Sequence, residues 1–256
     1  MKTAIITVAG ISSRFNEGIP EERKALKSIY WEKDRKQSLL YHLLKKCSYA
    51  DSIVVVGGYK FDTLQEYCQS LESELKGKML LVHNDHFSDL GSGYSLYLGL
   101  KAVFDMGADE VLFVEGDLDI DEPSFNKVAH AKGNVLTYNY LPIYTNKAVV
   151  LYKDIKDNFR YAFNSDHGYL KIESPFSCIL NSGQVWKFTE MDKLKKANER
   201  FVNENRAGTN LSIIQNYLDD NTRCELIGLK RWTNCNTRED YKQIMSYWRE
   251  NDENVK

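Results

Sequence analysis

The sequence predicts an α/β protein: one domain over residues 1–256, doubly wound and Rossmann-like, on a mostly parallel central sheet with a strand-rich second half. Three observations predict it. Short apolar runs alternate with amphipathic stretches through residue 117, the pattern of parallel strands joined by crossover helices. Beyond about residue 133 polar and apolar residues alternate instead, as antiparallel strands do. With 256 residues, 43% of them apolar and 12% aromatic, the chain can fill a core of that size.

In order, "AIITVAG" from residue 4 predicts the first strand and "SLLYHLLKKCSYA" at 38–50 a helix. The second strand is "DSIVVVGGY" at 51–59, followed by one helix over "DTLQEYCQSLESEL" at 62–75. "MLLVHN" at 79–84, "GYSLYLGLKAVFDMG" at 93–107 and "DEVLFVEGD" at 109–117 continue as strand, helix and strand. "NVLTYNYLPIYTNKAVVLYKDI" at 134–155 and "YLKIESPFSCILNSG" at 169–183 read as antiparallel strands. Helices over 192–206 and 210–220, a last strand within 220–232, a final helix after Thr237 and a frayed tail complete the chain.

Lys and Arg number 34 against 36 Asp and Glu, a net charge of −2, which argues against a nucleic-acid surface but leaves room for a local anion pocket. The N-terminus has no signal-peptide pattern and no apolar run approaches a membrane span, so no membrane partner and a cytoplasmic location are expected. Cys47, Cys68, Cys178, Cys224 and Cys235 are scattered without metal or redox spacing and read as reduced thiols.

In a doubly wound sheet, ligands collect at the carboxyl ends of the strands. After the first strand come Ala9, Gly10, Ile11, Ser12, Ser13 and Arg14, then Lys24. Such a loop can aim backbone N–H groups at phosphate oxygens, with Arg14 and Lys24 adding charge, although an ordinary turn with surface cations reads the same. After the fourth strand, Asp117 and Asp119 alternate where the sheet meets its rim. Two neighbouring carboxylates suit a cation such as Mg²⁺, while a solvated acidic turn is the alternative. Ser92, Gly93 and Ser95 open a helix, where Ser95 caps it or the helix start holds a nucleotide. Among His42, His83, His86, His130 and His167 none stands in a convincing catalytic context.

Taken in order, "AGISSRF", "RKAL", "VGGY", "GSGYSLYLGL", "EGDLD", "NSGQVW" and "NCNTREDY" resemble the nucleotidyltransferases with a GT-A-like fold, over almost the whole chain. Within that superfamily "NDHFSDLGSGYSLYLGL" is most similar to cytidylyltransferases of the phosphocholine and phosphonate type. The resemblance implies a nucleotide-binding half at 1–132 and an acceptor-binding half at 133–256. It implies that Ala9, Gly10, Ile11, Ser12, Ser13, Gly58, Ser92, Gly93 and Ser95 bind the nucleoside triphosphate, CTP by preference. Arg14, Lys24 and Asp117 would be catalytic, and Lys147, Asn181, Ser182 and Gly183 would meet a small phosphate or phosphonate acceptor. Mg²⁺ would be held by Asp117 with Asp119 and Asn236; the family usually has glycine where Ser12 stands and aspartate where Asn236 stands. Tyr138, Tyr140, Tyr144, Tyr161 and Trp186 are candidates for an aromatic cage around an amine, or else sheet and core residues. Sugar or polyol phosphates as acceptors, a glycosyltransferase, and a nucleotide-binding module without chemistry are the alternatives; a homodimer is left open.

Overall fold

The structure is a computed structural model that describes residues 1–145, 149–163, 169–172 and 174–251. Strand β1 (Lys2–Thr7) leads through a run of 3-10 turns to α1 (Leu39–Lys46), then β2 (Ser52–Gly57), α2 (Phe61–Gln69), α3 (Ser73–Lys78) and β3 (Met79–His83). Next come α4 (Ser92–Asp105), β4 (Glu110–Glu115), a short β5 (Leu118–Ile120) and α5 (Glu122–His130). The second half holds β6 (Asn134–Asn139), β7 (Val150–Asp154), β8 (Phe159–Ala162), the long β9 (Phe176–Phe188), α6 (Met191–Glu204), α7 (Asn210–Leu218), β10 (Cys224–Leu229), β11 (Trp232–Asn234) and α8 (Arg238–Asn251).

The central sheet runs β10-β6-β9-β4-β1-β2-β3. Strands β4, β1, β2 and β3 are parallel, as the apolar runs predict. Strands β1, β2 and β4 are buried on both faces, so alternate side chains feed opposite cores, while the edge strand β3 is part-exposed. Ala4, Ile6, Ile53 and Val55 join Leu40, Leu44, Phe125 and Val128 on one face, while Ile5, Val54 and Val56 join Leu96, Leu100, Phe201 and Tyr217 on the other. The predicted helix over 62–75 is two helices. The first ends at Ser70, whose Oγ donates to the Tyr67 carbonyl at 2.6 Å in competition with the helical ladder.

The second half corrects the expectation of purely antiparallel strands. Strand β6 pairs parallel with β10, and β9 is antiparallel to both β4 and β6. The C-terminal half of β9 is buried in the sheet, and its N-terminal half leaves it to pair with β7, and β7 with β8, in an arm beside the site. Helix α8 repeats Tyr241, Ile244, Met245 and Trp248 on one stripe, which packs on Phe15, Leu39 and Cys235 and so braces the loop after β1. It starts in a capping box: Thr237 Oγ1 accepts from the Asp240 amide at 3.1 Å, and Asp240 Oδ2 accepts from the Thr237 amide at 2.7 Å. Among the described residues no helix is long and apolar enough to cross a membrane. Cys47, Cys68 and Cys235 are buried free thiols, each pushed up to about 12 by burial.

Candidate active site

The carboxyl ends of β1 and β4, with the middle of the antiparallel β9, open into two cavities that share Glu115 and Asp117. The first, about 240 Å³, is walled by Ala9, Gly10 and Ser12 of the loop after β1, by Lys27, by Asn84 and Phe87, and by Ser92, Ser95 and Asn210. The second, about 440 Å³, takes Arg14, Asn181, Gln184, Trp232, Asn234 and Asn236, with Tyr144 and Phe163. One cavity is mainly loop backbone and small polar groups; the other is aromatic and amide-lined.

The loop has the features of an anion seat. Among the described residues the N–H groups of Gly10, Ile11, Ser12 and Ser13 find no acceptor. Ser12 holds φ at +60°, the left-handed conformation in which glycine is unstrained, which explains why a glycine at this place would be natural. Its Oγ accepts from the Lys27 amide at 3.2 Å and ties the loop to the turn that follows. Ile11 and Ser13 are exposed and do not line the cavity.

At the back, Ser95 Oγ accepts from Asn84 Nδ2 at 2.9 Å and does not cap α4, whose N-cap position is Gly91. Ser92 Oγ pairs with Asn210 at 3.4 Å. Gly93 and Gly58 line neither cavity and occupy packing positions. A Cβ on Gly93 would lie 2.5 Å from the Phe201 ring, and its amide already donates to the Gly208 carbonyl at 3.2 Å. A Cβ on Gly58 would lie 2.5 Å from Phe87, so Gly58 acts by letting Phe87 approach.

Three charged residues stand elsewhere than the motifs suggest. Lys24 Nζ lies 2.5 Å from Glu21 Oε2 on the surface, outside both cavities. Lys27, which the motif does not single out, puts its Nζ 2.7 Å from Asp117 Oδ2. Asp119 is sealed behind the rim: Arg231 grips both of its oxygens, Trp248 Nε1 donates to it at 3.1 Å and Lys46 stands 3.9 Å away. The expectation that Asp119 shares a metal with Asp117 is therefore corrected. The chain turns at Gly116–Asp117, whose carbonyl accepts from the Cys235 amide, before β5 begins, so the two aspartates face opposite sides.

Glu115 stands where the cavities meet. Its oxygens accept from Asn210 Nδ2 at 2.6 Å and Gln184 Nε2 at 3.3 Å. Burial, with the charge of Asp117 adding to it, pushes this carboxyl up to about 7 against the pull of the Asn210 bond. Asn236 Oδ1 accepts from Arg14 at 2.9 Å, which sets the guanidinium at the mouth of the second cavity. Asp117 Oδ1 and Asn234 Oδ1 are buried without a partner. Those two oxygens are hard donors of the kind that Mg²⁺ takes, an ion that keeps several waters and needs few protein ligands, and Asn236 Oδ1 would join them only on release from Arg14.

On the acceptor side Asn181 lines the cavity, whereas Ser182 and Gly183 are built into the sheet. Ser182 Oγ accepts from the Gln184 amide and the Gly183 carbonyl accepts from Trp232 Nε1 at 2.7 Å. Lys147 lies outside the described residues. Of the five aromatic candidates only Tyr144 reaches the cavity; Trp186 is fully buried, stacked on Phe113 and bonded to Tyr161. Gln184, Phe163, Trp232 and Asn210 were not legible as a set, because they come from distant points of the chain.

Residues 23–248 match the family described as "Domain of unknown function (DUF6564)". The chain belongs to that family. No curated protein matches it in sequence. In three dimensions this DUF6564 member is similar to the inositol-1-phosphate CTP transferase from T. maritima, with a TM-score of 0.68 at 14% identity over 97% of this chain and 96% of that one. It is similar to the CTP:phosphocholine cytidylyltransferase from Streptococcus pneumoniae, with a TM-score of 0.63 at 14% identity over 96% and 98% of the two chains. A nucleotidyl transferase from Methanothermobacter gives 0.63 at 17% over 98% and 99%. The DUF6564 chain thus has the Rossmann-like fold of these proteins from end to end.

Proposed function

We propose that the protein is a Mg²⁺-dependent nucleotidyltransferase that joins CTP to a small phosphorylated or phosphonate acceptor. The observation that carries the reading is the meeting of two cavities at Asp117 and Glu115, one lined by a loop with free amides and the other by aromatic rings and amides. An oxygen of the acceptor's phosphate or phosphonate attacks the α-phosphorus, its bond to phosphorus forms as the α–β anhydride bond breaks, and pyrophosphate leaves. The nucleophile is already ionised at neutral pH, so no general base is needed.

Repulsion between two anions is the barrier, and this chain opposes it with the loop amides, Arg14 and Lys27. Asp117 and the amide oxygens of Asn234 and Asn236 would hold Mg²⁺, which when bound supplies further neutralisation of phosphate charge. The choice of CTP is supported by the likeness to two proteins named for CTP. Trp232, Tyr144 and Phe163 beside the carboxylates suit an acceptor with an ammonium end, such as phosphocholine or 2-aminoethylphosphonate, each ring contact contributing roughly 0.5–2 kcal/mol. A second reading, a sugar or polyol phosphate, is favoured by Asn181, Gln184 and Asn234, whose amides can bond hydroxyl groups.

The test is pyrophosphate release with Mg²⁺, each of the four nucleoside triphosphates, and a panel of amine-bearing, polyol and sugar phosphate acceptors. Release with CTP and one amine-bearing acceptor is expected. Nucleoside diphosphate release from a nucleotide sugar would make it a glycosyltransferase instead, and CTP binding without turnover would make it a regulatory module.

A further inference from the structure

Lys27 is fixed at both ends. Its backbone N–H donates to Ser12 Oγ at 3.2 Å, which fastens the turn Lys27–Ile29 to the anion-binding loop. Its Nζ lies 2.7 Å from Asp117 Oδ2, with the two side chains only 19% and 18% exposed, so water screens the pair weakly. Asp117 presents its other oxygen, Oδ1, buried and unpartnered. The ammonium therefore has a carboxylate on one side and, on the other, the cavity walled by Gly10 and Ser12 of the loop.

A carboxylate held in this way is only half available to a dication. An ammonium 2.7 Å from Oδ2 repels a dication arriving at Oδ1, so the metal binds well only when Lys27 turns to another anion. Its flexible stem and rotatable donors allow the move, and a nucleotide phosphate in the first cavity is the anion within its reach. Arg14 is not placed to take over, since its guanidinium is engaged with Asn236 at the second cavity, and Lys24 is paired with Glu21 outside both.

We propose that Lys27 is an exchangeable cation: it neutralises Asp117 in the empty site and releases it to the metal as the nucleotide arrives, turning its ammonium to the phosphates. The inference rests on the function proposed above. It makes metal and nucleotide binding reciprocal, because each supplies what the other's arrival displaces. Metal alone binds weakly, since Lys27 would be left without an anion.

The experiment titrates Mn²⁺, followed by the paramagnetic signal of the free ion, into the whole protein with and without CTP, for wild type, Lys27→Met and Lys27→Arg. Circular dichroism confirms that each variant is folded. Lys27→Met should tighten Mn²⁺ binding in the absence of nucleotide by about tenfold and abolish most of the coupling between Mn²⁺ and CTP. Lys27→Arg, which keeps a cation beside Asp117, should keep weak Mn²⁺ binding without CTP. Unchanged or weaker Mn²⁺ binding by Lys27→Met overturns the exchange while leaving the proposed function intact. Absence of Mn²⁺ binding by the wild type even with CTP overturns the metal-dependent function itself, and the exchange with it.

Discussion

The turn after β4 separates two regions that use the same residue types for opposite ends. In front, Asp117, Glu115, Asn234 and Asn236 line a cavity, and two of their oxygens, Asp117 Oδ1 and Asn234 Oδ1, are buried with no partner. Behind, Asp119 is fully buried and gives its oxygens to Arg231 and Trp248, with Lys46 alongside. A single residue, Leu118, separates an aspartate with an open oxygen from one whose valences are filled. A group kept for a ligand is under-satisfied in the empty protein, and a group kept for the fold is not.

The widest predicted separation comes from the two aspartates themselves. Asp117→Asn should lower pyrophosphate release by roughly 10³-fold while the thermal midpoint stays close to wild type. Asp119→Ala should do the reverse, costing about 3–5 kcal/mol in urea unfolding, because Arg231 and Lys46 are left buried without their carboxylate. Turnover per folded molecule should survive. If Asp119→Ala kept its stability and lost turnover, the division between front and rear would be wrong.

A smaller effect sharpens the rear region. Asp121 caps α5: its oxygens accept from the Ser124 amide at 2.9 Å and the Arg231 amide at 2.8 Å. Burial raises this carboxyl's pKa, but the amide bonds outweigh it and hold the value below the ordinary one. With the folded value depressed, the unfolded chain takes up the proton first as pH falls. The stabilisation is complete above the ordinary aspartate value of roughly 3.9 and is lost as pH drops through the folded value. Asp121→Ala should therefore cost about 1 kcal/mol at pH 7, and the gap to wild type should narrow in urea melts near pH 3.

These contrasts also explain what the sequence could and could not disclose. The parallel core was legible because an unbroken apolar run such as Ile53–Val56 reports burial on both faces. The start of α8 was legible from its capping residue Thr237 and the acidic Glu239 and Asp240 of its first turn. Asp117 and Asp119 were misread as a pair because spacing of two places side chains together only while a strand continues, and here a turn intervenes. Asn210 and Gln184 reach Glu115 from 95 and 69 residues away, a juxtaposition made by topology that no local pattern records. The aromatic candidates failed in the same way. Trp186 and Tyr161 share a buried bond, while Phe163 and Trp232, in no motif, line the cavity.

The smallest predicted effect concerns the lysine that the resemblance favours. Lys24 follows one 3-10 turn (Glu21–Arg23) and Lys27 opens the next (Lys27–Ile29), in a segment with no repeating period to say which side chain points inward. The folded chain spends Lys24 on Glu21 at the surface and turns Lys27 to Asp117. Lys24→Ala should consequently change the KM for CTP by no more than about threefold, with kcat held, since an exposed ion pair of this kind contributes little. Its measurement alongside Lys27→Met gives the sharpest form of the comparison, because the two variants remove the same charge from the same stretch of chain. A loss in Lys24→Ala as large as that in Lys27→Met would mean that this lysine leaves Glu21 and enters the site when nucleotide binds.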